Sequence, residues 1–251
     1  MRRSRLVLAT MLAALGIAPV LLTVAPGAAP AAPVPKPLFP KKETSPDYFP
    51  VRVGNTWAYQ AENVQLLGLD RGSTEYTEVV SNVEDVEGAR VASIDTSWAG
   101  SPVYSNNYKL RVAPDGIFKI GVGDARFDPP VCLHKHESRP GDTWETHTHH
   151  VCSPEDPFFN RDGNWRHLDV TWSMTVGEWE VVDVPAGTFR ARRVDQTVRR
   201  YLSLTEEQSI WYASRVGVVK FESSFRPYSG RPTDRQRPTT YSLKSFTPGK
   251  E

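Results

Sequence analysis

The sequence predicts an all-β protein: an antiparallel meander that forms a curved sheet or half-barrel, built from two tandem related halves. Three observations lead there. Polar and apolar residues alternate with a period of two along most of the chain after residue 46, the mark of strands with one buried face. Tight-turn sequences such as Pro114-Asp115-Gly116 and Pro185-Ala186-Gly187 join these runs. No apolar i, i+3, i+4, i+7 pattern persists in the mature chain; the best helical candidate is one short turn near Leu204-Thr205-Glu206-Glu207.

The chain opens on a different composition. Arg2, Arg3 and Arg5 precede a nearly uncharged apolar run from Leu6 to Val24, and Ala29-Pro30-Ala31 offers a small-x-small cleavage site. This pattern predicts a signal peptide over 1–31 and export to the periplasm or the extracellular space, with no transmembrane segment left after cleavage. The alternative is a retained anchor, since the run is about long enough to span a bilayer. Residues 32–46 are rich in Pro, Ala and Lys and read as a flexible tether. An all-β domain over 47–248 follows.

Within that domain the strands come in order. Trp57, Tyr59 and Ala61 share one face. Thr74, Tyr76 and Glu78 share another, alternating with Glu75, Thr77 and Val79. Val91 to Ile94 follows a Glu87-Gly88 turn. Tyr108 to Val112 leads through Pro114-Asp115-Gly116 into Ile117 to Ile120; Pro114 presets φ and Gly116 is expected to take the left-handed conformation of a type I turn plus bulge. Trp144 opens the second series. Val170 to Val176, Trp179 to Val184, Phe189 to Val198, Ile210 to Tyr212, Val216 to Phe221 and Thr239 to Phe246 complete it.

The two series match by markers, which sets the halves at approximately 47–123 and 138–222. Gly54-Asn55-Thr56-Trp57 corresponds to Gly141-Asp142-Thr143-Trp144, Val83-Glu84-Asp85-Val86 to Val181-Val182-Asp183-Val184, and Gly116-Ile117-Phe118-Lys119 to Gly217-Val218-Val219-Lys220.

Several of these markers carry a resemblance. Tyr48-Phe49-Pro50, Gly54-Asn55-Thr56-Trp57, Val184-Pro185-Ala186-Gly187-Thr188-Phe189, Trp211-Tyr212-Ala213 and Gly217-Val218-Val219-Lys220 resemble a family of bacterial exported proteins of unknown function, often called DUF3108-like. The resemblance implies a curved sheet like that of the periplasmic lipoprotein carriers LolA and LolB. It implies no catalytic residue.

The segment from Cys132 to Cys152 holds both cysteines and five of the six histidines. In an exported chain, two cysteines predict a Cys132–Cys152 disulfide, with thiolate metal ligation as the alternative. If the two face each other across a hairpin, His134 faces His150, and strand parity puts His134, His136 and His150 on one face. That set suits Zn²⁺ or Cu²⁺; the other reading is a solvated hairpin that binds nothing. No other cofactor is expected. Asp85, Glu180 and Asp183 lie beside turns and read as solvated caps, and Gly121-x-Gly123 lacks the third glycine of a nucleotide loop. Arg226, Arg231, Arg235 and Arg237 read as a solubilising surface.

A formal net charge of +1 excludes the basic excess that nucleic acid requires. The functional expectation is an exported, non-enzymatic binding or scaffolding protein of the cell envelope that holds an apolar or envelope-derived, lipid-like ligand. Trp57, Tyr59, Trp144 and Trp211 are the expected ligand-lining residues. The alternative is a metal-binding protein, a zinc hydrolase included, at the 132–152 hairpin.

Overall fold

A computed structural model of the chain describes residues 48–66, 69–99, 101–152, 166–200, 205–226 and 237–249, with backbone alone at 65–66, 69–71, 101–106, 166 and 225–226. The signal peptide and tether expected over 1–46 lie outside the described residues, as do Arg231 and Arg235.

The described residues form twelve antiparallel strands in simple meander order. They are β1 (Thr56–Leu66), β2 (Leu69–Val86), β3 (Ala89–Trp98), β4 (Ser101–Ala113), β5 (Gly116–Val122) and β6 (Ala125–Lys135), then β7 (Thr143–Cys152), β8 (Arg166–Val184), β9 (Gly187–Arg200), β10 (Thr205–Ala213), β11 (Gly217–Arg226) and β12 (Thr239–Thr247). Each strand pairs with its neighbours in sequence. β1 also pairs with β12, from Thr56↔Thr247 to Glu62↔Thr240, and so the expected curved sheet closes fully into a barrel. Closure gives each of the twelve described strands a partner on both sides, although β6 and β7 pair only from Arg126↔Val151 to Asp128↔His149.

The period-two pattern sets the two faces. Trp57, Tyr59 and Ala61 are buried on β1, Ala92 and Ile94 on β3, Val170, Trp172, Met174 and Val176 on β8, and Val194 and Val198 on β9. The outer face carries ion pairs such as Glu75–Lys244 and Arg193–Asp195. One end of the barrel is plugged. Tyr48, Phe49 and Val51, just before β1, are each 3% exposed and join the core. Asn55 fastens this plug: its Nδ2 donates to the Pro50 carbonyl at 2.8 Å, and its Oδ1 accepts from the Gly249 amide at 2.6 Å. The two ends of the barrel chain are thereby joined at one side chain.

The same set of three backbone hydrogen bonds occurs at two places in the barrel. Gly54 N donates to Val80 O, Asn55 N to Arg52 O, and Val80 N to Asn55 O, at 2.8, 3.0 and 2.9 Å. Gly141 N donates to Val176 O, Asp142 N to Arg139 O, and Val176 N to Asp142 O, at 2.8, 3.0 and 2.9 Å. Gly54 and Gly141 share a positive φ, 85° and 88°. The long strands β2 and β8 receive these two sets of bonds, at Val80 and at Val176. Each slips register against its following strand, β2 near Ser81 and β8 at Gly177-Glu178.

Four local expectations are corrected. The turn near Leu204 to Glu207 is not helical from Thr205 on: β10 pairs there with both β9 and β11. Gly116 does not need a left-handed φ, because Ala113↔Gly116 closes a two-residue turn. Glycine is required instead by close approach, since a Cβ would lie 2.3 Å from the His134 carbonyl oxygen. Cys132 and His134 do not share a face. A bulge at Leu133 sets Cys132 opposite Phe118 and His134 opposite Ile117, adjacent residues that point to opposite sides of β5. Finally, His150 pairs with Phe127, seven residues before His134. Pro129 and Pro130 have no N–H to offer β7, so this pairing cannot extend as a regular ladder.

Candidate functional site

A closed barrel of twelve strands has more interior than its inward side chains fill. The remaining space is a cavity of about 310 Å³ above the plug. Its apolar wall includes Phe49, Tyr59, Leu110, Ile117, Val218 and Phe221, and Trp172, its ring centre 5.9 Å from Lys119 Nζ, borders the polar wall. Its polar wall includes Tyr76, Glu78, Tyr108, Lys119, Gln196, Arg200 and Glu206. Arg200 stands at the end of β9 with its side chain 45% exposed, so the cavity reaches solvent at the end away from the plug.

Strand parity positions each polar group. Tyr76 and Glu78 are two apart on β2, and the Tyr76 hydroxyl donates to Glu78 Oε1 at 3.0 Å. Tyr108 of β4 hydrogen-bonds the same carboxyl. Burial pushes Glu78 above the ordinary carboxylate range, against the lowering effect of these hydrogen bonds and of Lys119. Burial likewise raises Tyr59, Tyr76 and Tyr108.

Lys119 is two residues from Ile117 on β5. Its Nζ lies 5.2 Å from the centre of the Tyr108 ring and 5.9 Å from that of Trp172. Burial lowers its pKa; Glu206 and Glu78 raise it, and Arg200 lowers it. Glu206 is 7% exposed and well satisfied. It accepts from Ser223 Oγ at 3.0 Å, Arg200 Nη2 at 3.2 Å and Gln208 Nε2 at 2.5 Å. Gln196 is 2% exposed, and among the described residues neither of its amide atoms has a hydrogen-bond partner; nor does Trp172 Nε1.

Of the four residues expected to line a ligand site, Tyr59 does so, with its hydroxyl tied to the Val218 carbonyl at 3.0 Å. Trp57 is fully buried at the plug, stacked with Phe49 and Phe246. Trp144 donates to the Cys132 carbonyl at 2.8 Å, and Trp211 to Glu180 at 2.7 Å. These three pack elsewhere and do not line the cavity.

His134 and His136 lie together, ring centres 5.9 Å apart, but His150 does not join them. His134 is 1% exposed, between Tyr48 and Tyr212, and burial lowers its pKa to about 3. His136 Nε2 contacts the Ala113 carbonyl at 3.1 Å. His150 stacks on Phe127, roughly 20 Å along the strand from His134 at about 3.3 Å per residue. Among the described residues, no group of three or more His, Cys, Asp or Glu is arranged to hold a metal ion. The expected disulfide fails for the same reason of register. Cys152 adjoins Val151, which pairs with Arg126, whereas Cys132 lies beside Trp144. Both cysteines are buried thiols, not joined to each other.

Sequence reasoning reached Tyr76 and Glu78 as same-face residues but gave them no role. Tyr108, Lys119 and Glu206 figured there only as strand, marker and turn residues, and Gln196 and Arg200 not at all. The available signal was a charge or amide at an inward position of an otherwise apolar strand, as in Ile117-Phe118-Lys119 and Val194-Asp195-Gln196-Thr197-Val198.

Fold and site together define a closed antiparallel barrel, plugged at one end, with an internal cavity that has an apolar and a polar wall. Two solved structures are similar to this chain. One is a protein assigned as exported, with a YmcC-like fold, from Bacteroides fragilis: 11% identity over 81% of this chain and 100% of that chain, TM-score 0.45. The other is a protein assigned as a lipoprotein from Parabacteroides distasonis: 14% identity over 82% of this chain and 100% of that chain, TM-score 0.45. No protein-family model matches the chain, the DUF3108-like family included, and no curated protein sequence matches it.

Proposed function

We propose that this chain is an exported, non-enzymatic binding protein that holds a small ligand with an apolar body inside its barrel. The observation that carries this reading is the cavity itself. Its volume of about 310 Å³ lies at the low end of small-molecule sites, about 300–1,000 Å³. That size favours a single short chain or ring over a whole phospholipid. The mixed wall suits an amphipathic molecule, with its apolar part against Phe49, Ile117 and Val218. The carboxyl groups of the wall are engaged in hydrogen bonds with their neighbours, an arrangement suited to recognition more than to proton transfer. Export is supported by the N-terminal sequence pattern.

The test is displacement of a fluorescent medium-chain acyl probe, with native mass spectrometry for stoichiometry. Saturable one-to-one binding is expected. Ile210→Trp, at an inward position of β10 that lines the cavity, is expected to abolish it while circular dichroism and melting stay near those of the parent. Failure of the parent protein to bind, or binding that Ile210→Trp leaves intact, overturns the reading.

A further inference from the structure

We infer that the polar wall of the cavity is a carboxylate-recognition site, with Lys119 as the counter-ion and the Gln196 amide and Trp172 indole as hydrogen-bond donors. The inference rests on the binding function proposed above and assigns the head group of its ligand.

Donors and acceptors on the cavity wall are unevenly matched. Two carboxyl groups line the cavity, and both are occupied: Glu78 by Tyr76 and Tyr108, Glu206 by Ser223, Arg200 and Gln208. Arg200 donates from Nη2 to Glu206 at 3.2 Å and its side chain is 45% exposed, which leaves Lys119 as the cation more deeply enclosed by the cavity. Lys119 differs. Among the described residues no carboxylate lies within 4.0 Å of its Nζ, and its close neighbours are the faces of Tyr108 and Trp172. Its Nζ is held beside two rings without a direct ion pair, and burial disfavours its charge, an effect that an anionic ligand at the Nζ would offset.

Two further donors are unanswered on the same wall, Gln196 Nε2 and Trp172 Nε1, against one unanswered acceptor, Gln196 Oε1. Buried amides of this kind are almost always paired. Gln196 is 2% exposed, flanked on its face by Val194 and Val198, so a partner must come from within the cavity. Among the described residues the unanswered groups are therefore mostly donors, beside an ammonium with no carboxylate in ion-pair contact. A carboxylate supplies two acceptor oxygens and one negative charge, which answers both. The raised pKa of Glu78 is in keeping with this, since a carboxyl inclined to keep its proton does not compete for Lys119. The ligand class is a monocarboxylic acid with a short or medium apolar chain.

Calorimetric titration of the purified protein with decanoate, decanol, decanamide and decylamine tests the assignment. Decanoate is expected to bind about tenfold or more tightly than the two neutral analogues, the scale of a charge-assisted hydrogen bond. Lys119→Met should remove that preference, and Lys119→Arg should keep it. Gln196→Leu should reduce it. Equal affinity for decanoate and decanol in the parent protein overturns the head-group assignment and leaves the binding function standing. So does a preference for decylamine, which would point to Glu78 as the recognising charge. Absence of binding by all four, together with failure of the acyl-probe assay, removes the binding function as well. The comparison of ligands on the parent protein needs no variant, so a variant that fails to fold does not weaken it.

Discussion

The Tyr76 hydroxyl donates to the Glu78 carboxyl at 3.0 Å inside the barrel, and both side chains belong to one face of β2. This pair forms part of the polar wall of the cavity. It also makes the fold sensitive to pH in a defined direction. Burial raises Glu78 above its ordinary value. Between the unfolded and folded pKa values the folded state therefore binds more protons than the unfolded one, and stability falls as pH rises. Glu78→Gln keeps an acceptor for Tyr76 and removes the charge. The variant should gain stability relative to the parent as pH rises from 4 to 8. Urea denaturation at the two pH values measures the difference; an equal difference at both would refute the buried-charge account.

His134 acts in the opposite sense. Its folded pKa is lowered to about 3 by burial, with His136 and Arg192 adding to the effect. Below the unfolded value of about 6.5 the unfolded chain takes up a proton that the folded chain refuses, so stability falls with decreasing pH at about 1.4 kcal/mol per unit. His134→Phe should flatten this acid limb between pH 6 and 4. The measurement is again the change in unfolding free energy, parent against variant, which separates His134 from the carboxyl groups.

Asn55 holds the plug and the chain end together through Pro50 and Gly249. It is 1% exposed. Asn55→Ala leaves two backbone partners without their hydrogen bonds and should cost about 2 kcal/mol. The first amides to lose protection in hydrogen exchange should be those of the plug and of β12. Gly249→Ala should be at least as damaging, because a Cβ there would meet the Val53 carbonyl oxygen at 2.0 Å.

The cysteines supply a direct test of register. With Phe127 paired to His150, Cys132 and Cys152 lie too far apart for a disulfide, which requires Cα atoms within about 7 Å. Burial also pushes the Cys132 thiol up to about 11, which slows its alkylation at pH 8. Unfolding without reductant should expose two alkylatable thiols per chain. A cross-linked peptide joining residues 132 and 152 in mass mapping would contradict this pairing of β6 with β7.

The sequence by itself determined the all-β class and the antiparallel meander, because both are written in local chemistry. Period-two alternation decides which side chains share a face, and glycine at positive φ decides where the chain turns. Gly54-Asn55 and Gly141-Asp142 are the clearest case: similar residues make the same three backbone hydrogen bonds in each half. The tertiary structure alone decided closure, register and the site. Closure depends on the accumulated twist of twelve strands, which brings β1 to β12 and has no local signal. Register failed at the seam because the bulge at Leu133 and the two prolines at 129 and 130 change parity and interrupt the ladder, and one residue of slip exchanges the faces. The cavity was illegible for a related reason. Lys119, Gln196 and Glu78 sit on different strands, and each is an isolated polar residue in its own alternating run. Only the wrapping of those strands around a common interior turns three isolated residues into one wall.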